Sequence, residues 1–458
     1  RVLFGAYGEV DLSYKDWATL TLTARNDWSS TLPKDNRSYF YPSASLAVVF
    51  TDALNMQSNF LSYGKLRLSA AQVGNDTNPY RLNFEFFPQP SASGQYSLNQ
   101  NFPFDGRLGF QATTTIPPEN LKPEQQTSFE VGTELRFLDG RFGLDVSAFN
   151  TVNSNQILQT PIPPATGFRR KTLNVGEITN TGIEFTLDAK VLRTSNFEWS
   201  TILNFSHVES EVTSLAEGTE QILIASEFNS IQIVAVPGRE YQIFAIPYLR
   251  DTITGKPVIN PNTGLRQAGE TKLFGSVLPD FTAGITNVLS YKGIVLSTTI
   301  DMKWGGIMSS STVGGLWAGG VTEETLRNRE GTFIDKGGIL LNTDGTAREN
   351  DVPARSAEEF WQGLRTGGIA ESQIFDASFI KLREIGISYR LPASVLGNGF
   401  IKGLQVGVEG RNLALLYSKV PHIDPEASLF GSGVDGFGSE RNTIPSTRSI
   451  GFNVKLKF

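Results

Sequence analysis

The chain has 458 residues, enough for two or three soluble domains or one large barrel. A hydrophobic content of 39%, a mean hydropathy of -0.16 and the lack of any apolar run near the roughly 18 residues of a spanning helix exclude a helical membrane protein. A net charge of -6 argues against a nucleic-acid binder, and the absence of cysteine excludes a disulfide framework and thiol chemistry.

The chain opens on Arg1 inside what already reads as a strand, without an initiator Met or a leader, so a fragment of a longer precursor is expected. From Trp17 to Arg25, Ala18, Leu20, Leu22 and Ala24 take one face and Thr19, Thr21, Thr23 and Arg25 the other. The same two-residue period sets Phe129, Val131, Leu135 and Phe137 against Glu130, Glu134 and Arg136. It then sets Ile183, Phe185, Leu187 and Ala189 against Glu184, Thr186, Asp188 and Lys190. The pattern predicts strands near 2–14, 17–28, 42–50, 64–73, 126–138, 142–153, 178–191, 196–208, 281–290, 293–304, 377–391, 402–412 and 446–458. In the last of these, Phe452, Val454, Leu456 and Phe458 oppose Asn453, Lys455 and Lys457, the way an outer-membrane barrel strand ends. Mid-strand charges suit a watery lumen; alternation by itself also suits the solvent face of a soluble sandwich.

The connections carry the second signal. Short turns fall near 14–17, 138–141, 192–196 and 291–293, flanked by Tyr14, Trp17, Phe137, Phe142, Phe197 and Tyr291, as in an interfacial aromatic girdle. Long segments lie near 74–124, 154–176, 210–280, 305–375 and 413–445. The expectation is an all-β, transmembrane antiparallel barrel occupying 1–458, with the long loops extracellular and the short turns and C-terminus periplasmic. An odd set of strands leaves bare edges that lipid does not tolerate, so a missing N-terminal part is expected to supply the rest. Tyr241 to Tyr248 reads as part of a loop, since one more wall strand would break the parity. Ser356-Ala-Glu-Glu359 is a capping box that predicts a helix within a loop, and Thr322 to Arg329 is a second helix candidate. The prolines between Pro79 and Pro118 suggest an irregular, ordered loop. Paired glycines at 305–306, 314–315 and 319–320 suggest mobility or close approach.

Candidate site residues divide into three groups. Arg25, Asp27 and Trp28 end a strand, where bracing of a loop base outweighs lining of a ligand route. Phe102, Phe104, Trp317, Phe360 and Trp361 lie in long loops; their rings suit stacking on sugars or peptide side chains, contact with a lid protein, or the small cores of the loops themselves. Asp424-Pro-Glu426 reads as a Pro-centred turn before a cation site, and 251–255 and 260–264 read as β-turns with too few carboxylates for calcium. No cofactor or metal is expected. His207 and His422 share no motif, and no nucleophile or zinc signature occurs, so an enzyme is not expected. A carboxylate-pair hydrolase on a barrel, a passive porin and a β-structural adhesin stay open on the residues alone.

Four stretches bring a resemblance. These are Arg25-Asn-Asp-Trp-Ser-Ser-Thr-Leu-Pro33 with Asn36 to Ser43; Leu278-Pro-Asp-Phe281 leading to Tyr291-Lys-Gly293; Phe379-Ile-Lys-Leu-Arg-Glu384 running to Ser388-Tyr-Arg-Leu-Pro392; and Gly410-Arg-Asn-Leu413 with Asp424-Pro-Glu426 and the strand ending at Phe458. In that order, across nearly the whole chain, they resemble the SusC/RagA family of TonB-linked outer-membrane transporters of Bacteroidetes. The resemblance implies the C-terminal part of a barrel of about twenty-two strands, with its plug and TonB box absent from this chain. It also implies TonB-dependent import of an oligosaccharide or peptide, with a SusD-like surface lipoprotein as lid and the TonB complex as energy source.

Overall fold

A computed structural model describes residues 1–88, 106–226, 231–366, 368–397, 399–427 and 438–458. Thirteen strands form one sheet in which every strand pairs with its neighbours in chain order. They are β1 (Leu3–Tyr14), β2 (Ala18–Ser29), β3 (Ser38–Val49), β4 (Leu61–Asn75), β5 (Glu124–Phe137) and β6 (Phe142–Ser154). After them come β7 (Glu177–Arg193), β8 (Phe197–Ser214), β9 (Phe281–Tyr291), β10 (Ile294–Trp304), β11 (Phe379–Arg390), β12 (Gly403–Ser418) and β13 (Ser449–Lys457). All pairings between them are antiparallel. This is a transmembrane β-barrel wall, strand for strand where the alternation predicts it.

Register makes the two faces explicit. Leu20 lies opposite Leu46, Leu46 opposite Leu68, and Leu68 opposite Val131, a continuous apolar row across four strands. Directly opposed residues share a face, so the neighbouring row of Thr21, Ser45, Ser69 and Glu130 points the other way. The apolar row is not covered by protein: Leu68 is 42% exposed, Val131 46%, Val408 43% and Phe452 84%. A soluble sandwich would bury that face against a second sheet. Here the buried clusters lie in the connections around Phe333 and Phe360, around Ile231 and Ile243 and around Met308 and Val420, and where the connection after β8 packs Ile222 on Val212 near that strand's end. An apolar surface this wide belongs against hydrocarbon, which removes the adhesin reading.

The two ends of the wall differ. At one end turns of a few residues join β1 to β2, β5 to β6, β7 to β8 and β9 to β10. Aromatic pairs collect there: Tyr14 with Trp17 at 5.3 Å, Phe60 with Phe137 at 5.3 Å, and Phe400 with Phe458 at 4.9 Å. Lys15, Arg141 and Lys292 lie over Tyr14, Phe142 and Tyr291, the arrangement of amphipathic groups at a headgroup boundary. The other end carries the long connections, with 30–37 between β2 and β3 as a short exception.

Those long connections are folded. Gln242–Ala245 joins Ile222–Ser226, Gln232–Ala235 and Lys272–Ser276 in a separate four-stranded sheet, so the Tyr241 region stays outside the wall. A helix spans Ala357–Thr366. Ser356 caps it as expected, accepting from the Glu359 amide at Oγ at 3.0 Å, but the Glu359 carboxylate reaches one residue past the cap and accepts from the Arg355 amide at 2.9 Å. The segment from Thr322 to Arg329 departs from expectation, forming only a 3-10 turn at Glu323–Leu326. Thr322 supplies no side-chain cap, and Asn328 adopts a left-handed φ of 53°, so no helix propagates. The glycine pairs also divide: Gly305 and Gly306 take positive φ, whereas Gly314 and Gly315 lie within the helix Ser311–Ala318.

The two faces give a direct test. Leu68→Arg, on the outward row, is expected to lower stability by about 2–4 kcal/mol in urea titrations of the full-length protein in lipid bilayers. Ser69→Arg, one residue away on the inward row, is expected to change it by less than about 1 kcal/mol. Equal losses would contradict the assignment of faces.

Candidate functional site in the lumen

The inward rows are built from ion pairs that reach across strands. Arg67 on β4 binds Asp145 on β6 with two hydrogen bonds, 2.8 and 2.6 Å, passing over β5. The residue beneath it is Gly132, where a Cβ would lie 2.9 Å from the guanidinium. Arg136 on β5 reaches Asp188 on β7 at 2.6 Å in the same way, over Gly143, where a Cβ would overlap both partners. Second-neighbour strands stand about 9.6 Å apart, so only a glycine between them lets an arginine lie flat enough to bridge them.

At the long-loop end this pairing tightens around β10 and β11. Lys381 is 5% exposed and its ammonium lies 2.5 Å from Asp424 and 2.6 Å from Glu426, both on the β12–β13 connection. Arg383 donates to Asp301 Oδ2 at 2.7 Å and to Glu426 Oε2 at 2.6 Å. Asp424 also accepts from the Glu426 and Ser446 amides, each at 3.1 Å, which makes Asp424-Pro-Glu426 the turn that its sequence suggests. Burial would raise the Asp424 carboxyl, yet Lys381, Ser446 and the Glu426 amide bring it down from 3.8 to about 2. Glu426 is lowered for the same kind of reason, burial being outweighed by Arg383 and Lys381. These carboxylates already have cations, so they are not open metal ligands. No group of three or more potential metal ligands occurs among the described residues.

Two adjoining clefts of about 510 Å³ run along the inner wall below the connections. One is lined by Asn153, Asn180, Ser210, Tyr241 and Phe281; the next by Glu184, Thr186, Asn204, Asp301 and Arg383; Ser206 and Thr282 belong to both. Amides, hydroxyls and fixed charges beside the Tyr241 ring suit a polar oligomer that exchanges many weak hydrogen bonds. The β7–β11 positions were readable as inward by alternation, but their convergence with Glu426 and Tyr241 was not.

The residues singled out in the sequence fall elsewhere. Phe360 is 4% exposed and stacks on Phe333 at 4.2 Å, with Trp317 and Trp361 packed on the same cluster. Arg266, held by Asp335 at 2.7 Å, covers Tyr248 in that cluster from 4.6 Å. These three rings therefore fill a loop core, the plainer of their expected roles. Phe102 and Phe104 lie outside the described residues. Arg25 pairs with Asp27 at 2.8 Å and Tyr41 donates to the same carboxylate, on the inward face. Trp28 is 40% exposed on the opposite face, against Phe4 at 5.4 Å, so it does not share their contact. His207 meets the Asp280 carbonyl and His422 meets Glu324, with no partner in common.

Lys381→Met removes the cation shared by Asp424 and Glu426 and is expected to cost about 3 kcal/mol or more. Hydrogen exchange over 424–427 and 443–446 should speed up, while exchange in β4–β6 stays unchanged. The Asp424 contribution carries the sign of a lowered carboxylate: complete above its usual 3.8 and lost as pH falls towards about 2. Protection factors in the wild-type turn, with the pH dependence of intrinsic amide exchange divided out, should therefore hold steady from neutral pH to about 4 and fall only below it.

Comparison with known proteins agrees with this architecture. The sequence model of the family described as "TonB dependent receptor-like, beta-barrel" matches residues 2–345. TonB-dependent receptor P3 of Formosa agariphila is 24% identical over 100% of this chain and 45% of its own length. TonB-dependent receptor SusC of Bacteroides thetaiotaomicron is 24% identical over 100% of this chain and 44% of its own. The chain thus spans a little under half the length of these relatives. Among solved structures, the RagAB peptide transporter superposes with a TM-score of 0.74 at 19% identity, covering 100% of this chain and 48% of the matched chain.

Proposed function

Because the chain belongs to the TonB-dependent receptor-like β-barrel family, we propose that it forms part of the wall of an importer that carries a polar oligomer across the outer membrane. The observation that carries this reading is the band of amide, hydroxyl and charged groups on the inner wall, directly beneath folded connections, with an exposed apolar face behind it. Such a surface binds a hydrated chain by many exchangeable contacts and holds no single group too tightly to release it. The cargo in this reading is an oligosaccharide or a peptide.

The remaining roles follow from the geometry of the two ends. The long connections face the cell exterior and the short turns, with their aromatic girdle, face the periplasm. The loop cores around Phe360 and around Ile243 give the outer rim a fixed surface, fit to receive a SusD-like lipoprotein as a lid. Trp317 and Trp361 stiffen that surface from below. A plug and a TonB-contact segment belong, in this reading, to the length of the relatives that the chain does not span, and TonB acts through them.

Two measurements test the reading. Uptake of cargo by cells producing the full-length protein should fall to background when a protonophore collapses the inner-membrane gradient; uptake that persists would make the protein a passive pore. Phe360→Ala should cost about 3–5 kcal/mol within its loop core. It should abolish co-purification of the lipoprotein while the wall keeps its resistance to unfolding in detergent; retained co-purification would place the lid elsewhere.

A further inference from the structure

The turn Glu371–Gln373, just ahead of β11, carries three polar side chains, and two of them are satisfied. Glu371 accepts from the Tyr248 amide at 2.8 Å and pairs with Arg250, and Ser372 Oγ donates to the Leu364 carbonyl at 2.8 Å. Gln373 is 0% exposed, and neither its Oε1 nor its Nε2 has a hydrogen-bond partner among the described residues. Ser311 Oγ and Trp317 Nε1 are in the same condition, both shut off from solvent and both without a partner among the described residues. Buried amides, hydroxyls and indole N–H groups are costly to leave bare, and folded proteins rarely do so.

The backbone brings the three together. The strands Ile307–Ser310 and Ile374–Asp376 are antiparallel with Ser309 opposite Ile374, so Gln373 comes beside the point where the chain enters the helix Ser311–Ala318. Its amide lies on Gly314, where a Cβ would stand 2.7 Å from Oε1. Ser311, Gly314 and Trp317 follow at three-residue steps, hence along one side of the helix. Trp317 also meets the Phe375 ring at 5.9 Å, two residues past Gln373, which marks this side as the one facing the turn. Each step raises a group about 4.5 Å along the axis. Two groups joined by one water stand about 4.5 Å apart, since each bond is about 2.8 Å long and the angle at the water is near tetrahedral.

The set of groups is complete for water. Gln373 Nε2 and Trp317 Nε1 donate, Gln373 Oε1 accepts, and Ser311 Oγ does either. Water also does both, whereas an anion would leave Oε1 bare and a cation would leave the N–H groups bare. Size favours it too, because Gln373 is fully enclosed and the helix offers only the small residues Ser311 and Gly314 beside the amide. The enclosure is the chain's own: a plug, a lid or further wall strands would lie on its surface and would not reach these atoms.

We propose that Gln373, Ser311 and Trp317 hold internal water, which bridges the Gln373 amide to its neighbours on the helix Ser311–Ala318. This water is a structural ligand. It joins the rim core, to which Trp317 belongs, to the segment that runs into β11. The inference is independent of the cargo and of the import reading.

The test is an electron cryo-microscopy map of the full-length protein at a resolution that shows ordered water, with buried waters elsewhere in the map as the internal standard. A peak within about 3.2 Å of the Gln373 amide and of Ser311 Oγ or Trp317 Nε1 is the expected result. A map that resolves other buried waters and shows none here, or a Gln373 amide bonded directly to protein, overturns the proposal. Gln373→Met gives a second reading. Met is close to Gln in length and has no amide, so it expels the water and leaves Ser311 and Trp317 bare. Native-state hydrogen exchange of the helix Ser311–Ala318, in the full-length protein, should then speed up about tenfold. A dry amide predicts the opposite sign, because Met would remove a bare polar group; exchange that slows or stays unchanged overturns the proposal. Exchange in β4–β6 is the control and should not move. If the variant loses the loop core altogether, the map of the unsubstituted protein decides.

Discussion

Every backbone N–H and C=O in the hydrocarbon layer must find a partner within the protein, and this constraint organises the whole chain. It explains why the strands pair strictly in chain order. A crossover would need a connection running over the wall, where bare peptide groups would face lipid. It also explains why side-chain chemistry alternates with a period of two. Once the ladder is complete, half the side chains meet hydrocarbon and half meet water, and nothing forms a core between them.

The inner face inherits a second constraint from the first. Charges along a watery wall repel or attract over short distances, and the strand ladder holds them in fixed rows. Arginines that reach over Gly132 and Gly143 to acids on second-neighbour strands tie the sheet together laterally, beyond its hydrogen bonds. Each bridge is partly exposed to water and adds little alone.

The long connections answer a different demand. Outside the hydrocarbon layer, a segment of seventy residues stays ordered only if it buries apolar surface of its own. The connections here do so with a four-stranded sheet and an aromatic cluster around Phe333 and Phe360. The latch from Lys381 and Arg383 to Asp424 and Glu426 ties the last connection to the wall. These folded parts border the polar clefts, to which Tyr241, Pro279 and Glu426 contribute.

The amino-acid sequence by itself determined the wall. Period-two alternation is a local signal, repeated thirteen times, and lipid on one side leaves a strand no other way to orient. The Ser356 cap and the turn at Asp424-Pro-Glu426 were equally local, and both form where the residues place them. The loop rings were not settled this way, because an aromatic in a loop looks the same whether it waits for a ligand or fills a core. Only packing against Phe333 and Tyr248, far away in the chain, decided for the core in the case of Phe360. Trp28 shows the same limit, since its place beside Phe4 depends on the register of a neighbouring strand. The clefts and the bridged arginines both depend on which residues stand opposite one another, and register is a property of paired strands that no single stretch of sequence contains.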